Sequence, residues 1–505
     1  MEPALAAPRA QAWKRLALLG VGISVLVPVW ASPLLVTQDG PSHLYNAIVA
    51  EAVNAGRAPF AGIFQVDRTS LRPNQATELL LGQLGRIIGW EPAERAVLSV
   101  AMVANFLVLM WLVGGSRGLL LAPAVAWLTH NWFAWMGFGD FALSLAWYGA
   151  LVGLLAHPRW QRRGGFQLGA LLLLYFAHFF SFVVGTGLAL VVTTWRLRRH
   201  EASWSQLGAL APAGLLLLAE AAGGSATGGA ALTWQAPWQP LTGLAIGDIV
   251  RSFHPLDAVG GVAIMAAVWG TVYLRVRATR RGGGEPFSAL ELCGLGLLAL
   301  SVVAPSLVGE GGYVPIRLQM LGVVTLLPAV SAAVPRLPAA PTRWLAGAVL
   351  VGFLAHGAYV IGIGSRVNRD LLVIDALLAQ DGASSGAWVR SRFADARRGL
   401  FRIAGYRHLV ERIAARRELV ALDDYEARYG VFAVSWRARP DWLAIARVGE
   451  DSLELRLVPG EVPWKPSLYL VHEVGWRIGN RDARLDVAAT LRADGFAVTR
   501  VRRRQ

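Results

Sequence analysis

Along the first 365 residues, long apolar runs alternate with short breaks that carry arginines. Leu16–Val36, Ala96–Gly114, Ala258–Leu274, Leu290–Val308 and Trp344–Gly364 are the clearest runs. A helix needs roughly 20 apolar residues to cross a hydrocarbon core of about 30 Å, so these runs read as membrane helices. After Ser365 the pattern changes: charges become frequent and apolar runs shorten to strand length. Glu418–Leu422, Leu443–Val448, Leu453–Val458, Ser467–His472 and Phe496–Val501 read as strands, and Arg481–Asp494 as a helix.

The arginine clusters orient the runs, because basic loops stay on the cytoplasmic side. Arg9–Arg15, Arg117, Arg159–Arg163, Arg196–Arg199 and Arg275–Arg281 are such loops, and Arg336 and Arg343 flank a sixth. One path places all of them inside. The first span ends near Thr37, and others follow at 95–114, 118–134 and 140–156. Two half-length helices within 166–195 turn near His178–Ser181, and further spans lie at 205–222, 257–275, 288–308, 318–334 and 343–364. Making Gln75–Gly89 a span forces Arg159–Arg163 outside, so that segment is expected to lie on the membrane as an amphipathic helix. The expected fold is a polytopic α-helical membrane protein with about 11 spans and a small extracytoplasmic α/β domain. The membrane domain covers 1–364, with a long external loop at 38–94, and the C-terminal domain covers 365–505. The N-terminus is expected to be cytoplasmic.

Composition agrees. Only 16% of the 505 residues are charged and 55% are hydrophobic, where a soluble domain carries about 25% charged residues. The net charge of +15 sits in arginines beside apolar runs, since Lys14 and Lys465 are the only lysines. That is a topology pattern and not a nucleic-acid surface. Cys293 is the single cysteine, which excludes an internal disulfide or a cysteine metal cluster. The N-terminal run follows Arg9, Lys14 and Arg15 and resembles a signal peptide, but it is long enough to be retained as the first span.

This path gathers Asp39, His43, Asp67, Arg68, Arg72, Asp140, His178, His254, Glu310 and Arg317 on the outer side. Ionisable groups near a membrane are costly and often mark function. The leading feature is Thr37-Gln38-Asp39-Gly40-Pro41-Ser42-His43-Leu44-Tyr45, directly after the first span. Gly40-Pro41 ends the membrane helix and a new helix begins, with Asp39 at its N-terminus, a position Asp also favours for ordinary capping. Arg317 stands where Tyr313-Val314-Pro315-Ile316-Arg317 enters the tenth span. Asp140 begins the fourth span, and His178 sits within Tyr175-Phe176-Ala177-His178-Phe179-Phe180.

The Asp39–Leu44 string resembles the first-loop motif of the GT-C glycosyltransferases. These are polytopic enzymes that take sugars from polyprenyl-phosphate carriers. The long first loop, the Gln75–Gly89 helix, the span number and the external C-terminal domain are similar to that family's layout. The resemblance implies a bacterial inner-membrane enzyme with a polyprenyl-phosphate-sugar donor, membrane lipid around it and a glycan, lipid or protein acceptor. It implies that Asp39, with His43 beside it, is the base or the acceptor-positioning carboxylate. Arg317, Arg68 and His178 would then meet the donor phosphate, and Asp140 would be a second carboxylate. Some relatives use a divalent metal with a paired acidic motif, but no Asp-x-Asp occurs here and the spacing of Asp39, His43, Asp140 and His178 matches no metal motif. The adjacent Asp423-Asp424 reads as a solvated turn. A lipid transporter, drawing on Glu220 and Glu291, and a non-catalytic scaffold are the rival readings.

Overall fold

The computed structural model describes residues 3–67, 73–114, 118–222, 232–281, 286–308, 311–394, 400–428, 432–448, 452–464 and 467–504. Arg68, Arg72 and Glu310 lie outside the described residues.

A helix lies in each of the eleven expected segments, but Gly118–Thr129, Gly164–Ala177, Ala211–Ala222 and Ala289–Val303 are only 12, 14, 12 and 15 residues long, and the 205–222 segment is broken after Gly208. The eleven helices are Pro3–Ala31, Trp90–Val113, Gly118–Thr129, Gly139–Ala156, Gly164–Ala177, Phe179–Arg198, Ala211–Ala222, Ala258–Arg280, Ala289–Val303, Val314–Ala333 and Ala339–Gln380. Among the described residues, seven helices are long and apolar enough to cross a membrane, and Gly164–Ala177 and Ala289–Val303 are shorter apolar helices. Leu19, Ile23, Leu107, Val191, Leu215, Leu218 and Val351 are exposed on the bundle's outside. That surface suits lipid and would be a liability in water. The chain is a multi-pass helical membrane protein with a β-rich C-terminal domain.

Local chemistry sets the breaks. His178 is extended (φ −160°, ψ 117°) and caps the Phe179–Arg198 helix, its Nδ1 accepting from Ser181 N at 3.4 Å. The 118–134 span is not continuous. It ends at Thr129, and Asn131 Oδ1 accepts from Ala134 N at 3.1 Å to start the short helix Trp132–Met136. Pro305 stops the Ala289–Val303 helix, because the residue before a proline disfavours helical backbone. The Ala76–Ile88 helix buries Thr77, Leu81 and Gly85 along one face and exposes Leu79, Ile87 and Ile88.

The last membrane helix runs unbroken from Ala339 to Gln380, straight through the change of composition at Ser365. Its final turns bury Leu371, Ile374, Leu377 and Leu378 under the C-terminal domain. There, a five-stranded mixed sheet has the order Leu485–Ala493, Phe496–Arg503, Leu468–Glu473, Trp388–Arg392, Val420–Ala421. A second sheet joins Arg477–Asn480, Ser452–Val458 and Trp442–Arg447. The expected helix at Arg481–Asp494 is instead the strand Leu485–Ala493, paired antiparallel with Phe496–Arg503. Asp494-Gly495 is the two-residue turn between them, with φ of 42° and 85°. Asp-Gly is a strong hairpin signal, and it overrides the helical reading of the preceding residues.

The C-terminal domain is fastened to the first loop. Phe64–Val66 pairs antiparallel with Val434–Trp436. Tyr45 donates to Leu419 O at 3.0 Å and accepts from Ala421 N at 3.1 Å. Arg412, 2% exposed, donates to Glu94 at 2.8 Å. A buried charge of this kind is tolerated only when paired.

Candidate active site

Asp39 lies where the first membrane helix, the first-loop helix and the C-terminal domain meet. Its backbone is clamped: Gln38 N donates to Trp135 O at 3.1 Å, and Asp39 N to Met136 O at 2.9 Å. Gly137 makes the clamp possible. It has a left-handed φ of 84°, and a Cβ there would stand 2.4 Å from Gly40 N. Gly40 is constrained similarly, since a Cβ would meet Thr37 Oγ1 at 2.1 Å and Glu94 Oε1 at 2.8 Å. The side chain of Asp39 does not cap the Gly40–Asn54 helix. It is 6% exposed, and its Oδ1 has no hydrogen-bond partner among the described residues.

The nearest cation to that oxygen comes from the C-terminal domain. His408 Nε2 stands 3.6 Å from Asp39 Oδ1, beyond hydrogen-bond range, and is itself without a partner. Its other nitrogen, Nδ1, holds Glu411 Oε1 at 2.7 Å, and Tyr425 packs on the ring at a centroid distance of 5.2 Å. The result is a carboxylate–imidazole–carboxylate row. Burial raises the pKa of Asp39 above the ordinary carboxylate value, while His408, His43 and Arg407 pull it back in part. Burial works against the His408 cation, but Glu411 and Asp39 outweigh it and the pKa is raised.

His43 faces the same domain but a different partner. Its Nδ1 stands 2.6 Å from Oε1 of the fully buried Glu426. Burial opposes its charge, yet Glu426 and Asp39 push its pKa up to about 10. Asp140 accepts from Thr77 N at 2.8 Å, so it caps the Ala76–Ile88 helix across the fold and not its own span. Glu78 follows Thr77, and burial with the nearby charges of Glu426 and Asp140 raises its pKa to about 8.

Asp424 is fully buried, which corrects the reading of Asp423-Asp424 as a solvated turn. Its Oδ1 accepts from Asn46 Nδ2 at 2.9 Å and Glu426 N at 3.1 Å. Asp423 accepts from Ser391 N and Oγ. These groups fold the turn into the domain interface.

Arg317 stands apart from this acidic group. Its guanidinium lies over Phe138, Phe141 and Phe180 at 5.6, 5.5 and 6.0 Å. Nε is buried without a partner, and no carboxylate pairs with the side chain among the described residues. His178 packs edge-on against Phe141 at 5.0 Å and feels the charge of Arg317. Tyr313 bridges the two regions. It has a left-handed φ of 63°, which is uncommon for a bulky residue, and it packs on Trp132 and Phe138. Its phenol lies within electrostatic reach of Asp39, Arg407, Arg317 and Arg402. Arg402 stacks on Trp132 at 5.2 Å and shares the Asp248 carboxylate with Arg251.

The structure therefore joins Asp39 with His43 and, separately, Arg317 with His178. His254 caps a local turn by accepting from Leu256 N at 3.0 Å, and Trp234 and Trp238 are exposed. The sequence reading missed His408, Glu411, Glu426, Arg402 and Arg407. All lie in the C-terminal domain, and no local pattern links them to residue 39. Among the described residues, no three His, Cys, Asp or Glu side chains converge as a metal site. Glu220 is held by Tyr175 at 2.6 Å, and Glu291 by Arg275 and Ser288.

No family model and no curated protein matches this chain. Among solved structures, it is similar to the crystal structure of ArnT from Cupriavidus metallidurans bound to undecaprenyl phosphate. That likeness has a TM-score of 0.49 at 12% identity and covers 97% of this chain and 98% of the other. The apo form of the same protein gives a TM-score of 0.47 at 12% identity, with the same coverage.

Proposed function

We propose that this chain is a membrane glycosyltransferase of the GT-C type. It moves a sugar from a polyprenyl-phosphate donor to an acceptor on the outer face of a bacterial inner membrane, with the C-terminal domain on that face. One observation carries the reading. A buried carboxylate oxygen without a hydrogen-bond partner stands 3.6 Å from an imidazole nitrogen that also lacks one, and Tyr313 is within electrostatic reach of both this carboxylate and Arg317, whose side chain has no acidic partner among the described residues.

The chemistry follows from those two halves. An acceptor hydroxyl gives its proton to Asp39 Oδ1 as its oxygen attacks the anomeric carbon. The bond from that carbon to the phosphate oxygen breaks, and the carrier phosphate leaves with the electron pair. The outcome is inversion by single displacement. The raised pKa of Asp39 makes it a stronger base than a solvated aspartate. His408, held by Glu411, stabilises the ionised carboxylate before the proton arrives. Arg317 takes the negative charge of the departing phosphate in a low-dielectric aromatic surround, where such a charge is worth most. Tyr313 is within electrostatic reach of both the base and this cation. No step is routed through a metal, and the acidic groups Glu220 and Glu291 that a transport reading would draw on are engaged in structural contacts.

Purified protein given a polyprenyl-phosphate sugar together with a panel of envelope glycans, lipids and proteins as acceptors tests the reading. Wild type should release carrier phosphate, and Asp39→Asn should lower kcat by roughly 10²–10⁴-fold, the scale of general-base catalysis. Equal turnover in both would remove Asp39 from the mechanism.

A further inference from the structure

Behind the Glu426 that pairs with His43, the chain opens into a groove of about 590 Å³. Gln65, Ala427, Ser435, Trp436, Arg439 and Trp442 line it, with Pro440. Its volume falls within the roughly 300–1,000 Å³ of ligand clefts. The first loop and the C-terminal domain build it jointly, because Gln65 lies opposite Ser435 in the two-stranded ribbon.

Both indoles are half-buried and held in place. Trp436 stacks with Phe64 at 4.4 Å and lies parallel to Trp388 at 6.1 Å. Trp442 carries the Arg390 guanidinium over its ring at 4.0 Å. Beside these fixed aromatic walls stand short planar or hydroxyl groups. Gln65 Nε2 donates to Ser435 Oγ at 3.2 Å, and the Arg439 side chain is exposed at the rim. A pyranose has the matching chemistry: an apolar C–H face to lay on an indole, and equatorial hydroxyls for an amide, a hydroxyl and a guanidinium.

We infer that this groove is a saccharide-binding subsite, and that the acceptor of the proposed reaction is a glycan whose far end it holds. The inference rests on the glycosyltransferase reading for its direction: Ala427 lines the groove, and Glu426, the preceding residue, touches His43. Through these two consecutive residues the groove adjoins the interface that carries Asp39. Rigid walls keep the ordering cost of binding low.

The test uses the full chain in lipid nanodiscs on an array of bacterial surface oligosaccharides, from mono- to hexasaccharides, with peptides and lipids spotted alongside. Wild type should retain saccharides of two or more rings. Trp442→Ala should lower retention by about tenfold or more, as loss of a buried aromatic anchor does. Arg439→Ala, an exposed change that cannot endanger folding, should lower it less but measurably, and Asp39→Asn should bind as wild type does. A blank array overturns the inference, as does retention that ignores both Trp442 and Arg439, or retention only of peptides or lipids. The two readings fail separately. Donor turnover without saccharide binding removes the groove alone. Groove-dependent binding without donor turnover removes the transferase and leaves a lectin-like site.

Discussion

At the residue scale, the central fact is a charge arrangement that burial makes expensive. Asp39 is an acid whose pKa is raised by desolvation and lowered again by His408. As a base it works only when ionised, so activity should fall as pH drops through its raised pKa. Removing the imidazole removes the lowering influence. His408→Ala should therefore move the acid limb of kcat to higher pH, and a limb that stays in place would detach His408 from Asp39. His43 obeys the opposite sign. Its pKa rises from about 6.5 in an unfolded chain to about 10 in the fold. The pair with Glu426 thus contributes its full stability below about pH 6.5 and loses it as pH rises through about 10. His43→Ala leaves Glu426 buried and alone, at a cost of roughly 3–5 kcal/mol. Thermal melts near neutral pH should show that loss, and adding Glu426→Gln should recover part of it.

At the element scale, the helix starts and stops were legible where one residue type does one job. The turn at His178, the amphipathic Ala76–Ile88 helix and the run of eleven helices all follow from local pattern. The hairpin at Asp494-Gly495 was equally legible, and reading Arg481–Asp494 as a helix set periodicity above turn chemistry. The clamp at Gly137 was not legible. Its left-handed φ closes the five-residue helix that Asn131 opens, but the reason a glycine is required is the approach to Gly40, about a hundred residues away in sequence. Gly137→Ala brings backbone strain of about 1–2 kcal/mol and a clash with Gly40 N. We expect turnover to fall at least tenfold with a smaller loss of melting temperature. Unchanged turnover would show that the clamp does not position Asp39.

At the scale of the whole molecule, the C-terminal domain completes the site. The helix from Ala339 to Gln380 carries it out of the membrane as a rigid extension, and three separate contacts hold it on the first loop. That geometry gives the orientation of the chain a direct test. A reporter fused at the C-terminus should give an extracytoplasmic signal, in keeping with arginine loops retained inside. A cytoplasmic signal would turn Asp39 and His408 to the wrong face for the proposed donor.

The sequence by itself determined the solvent of the fold. Apolar runs and arginine breaks are local and additive, so they located the helical segments, but the first helix already ends at Ala31, before Pro33, and Gly40-Pro41 opens the next helix and does not end the first. It also singled out Asp39 and Arg317, because an ionisable group beside such a run is conspicuous. Only the tertiary structure decided what those residues meet. His408, Glu411 and Glu426 follow Asp39 by more than 360 positions in a stretch where charged residues are common, so nothing local marks them. Burial gives them their chemistry, and burial is a property of packing between distant elements. The feature that identifies the proposed base is an unpartnered oxygen 3.6 Å from an unpartnered nitrogen. It comes into being only when the two halves of the chain close on each other.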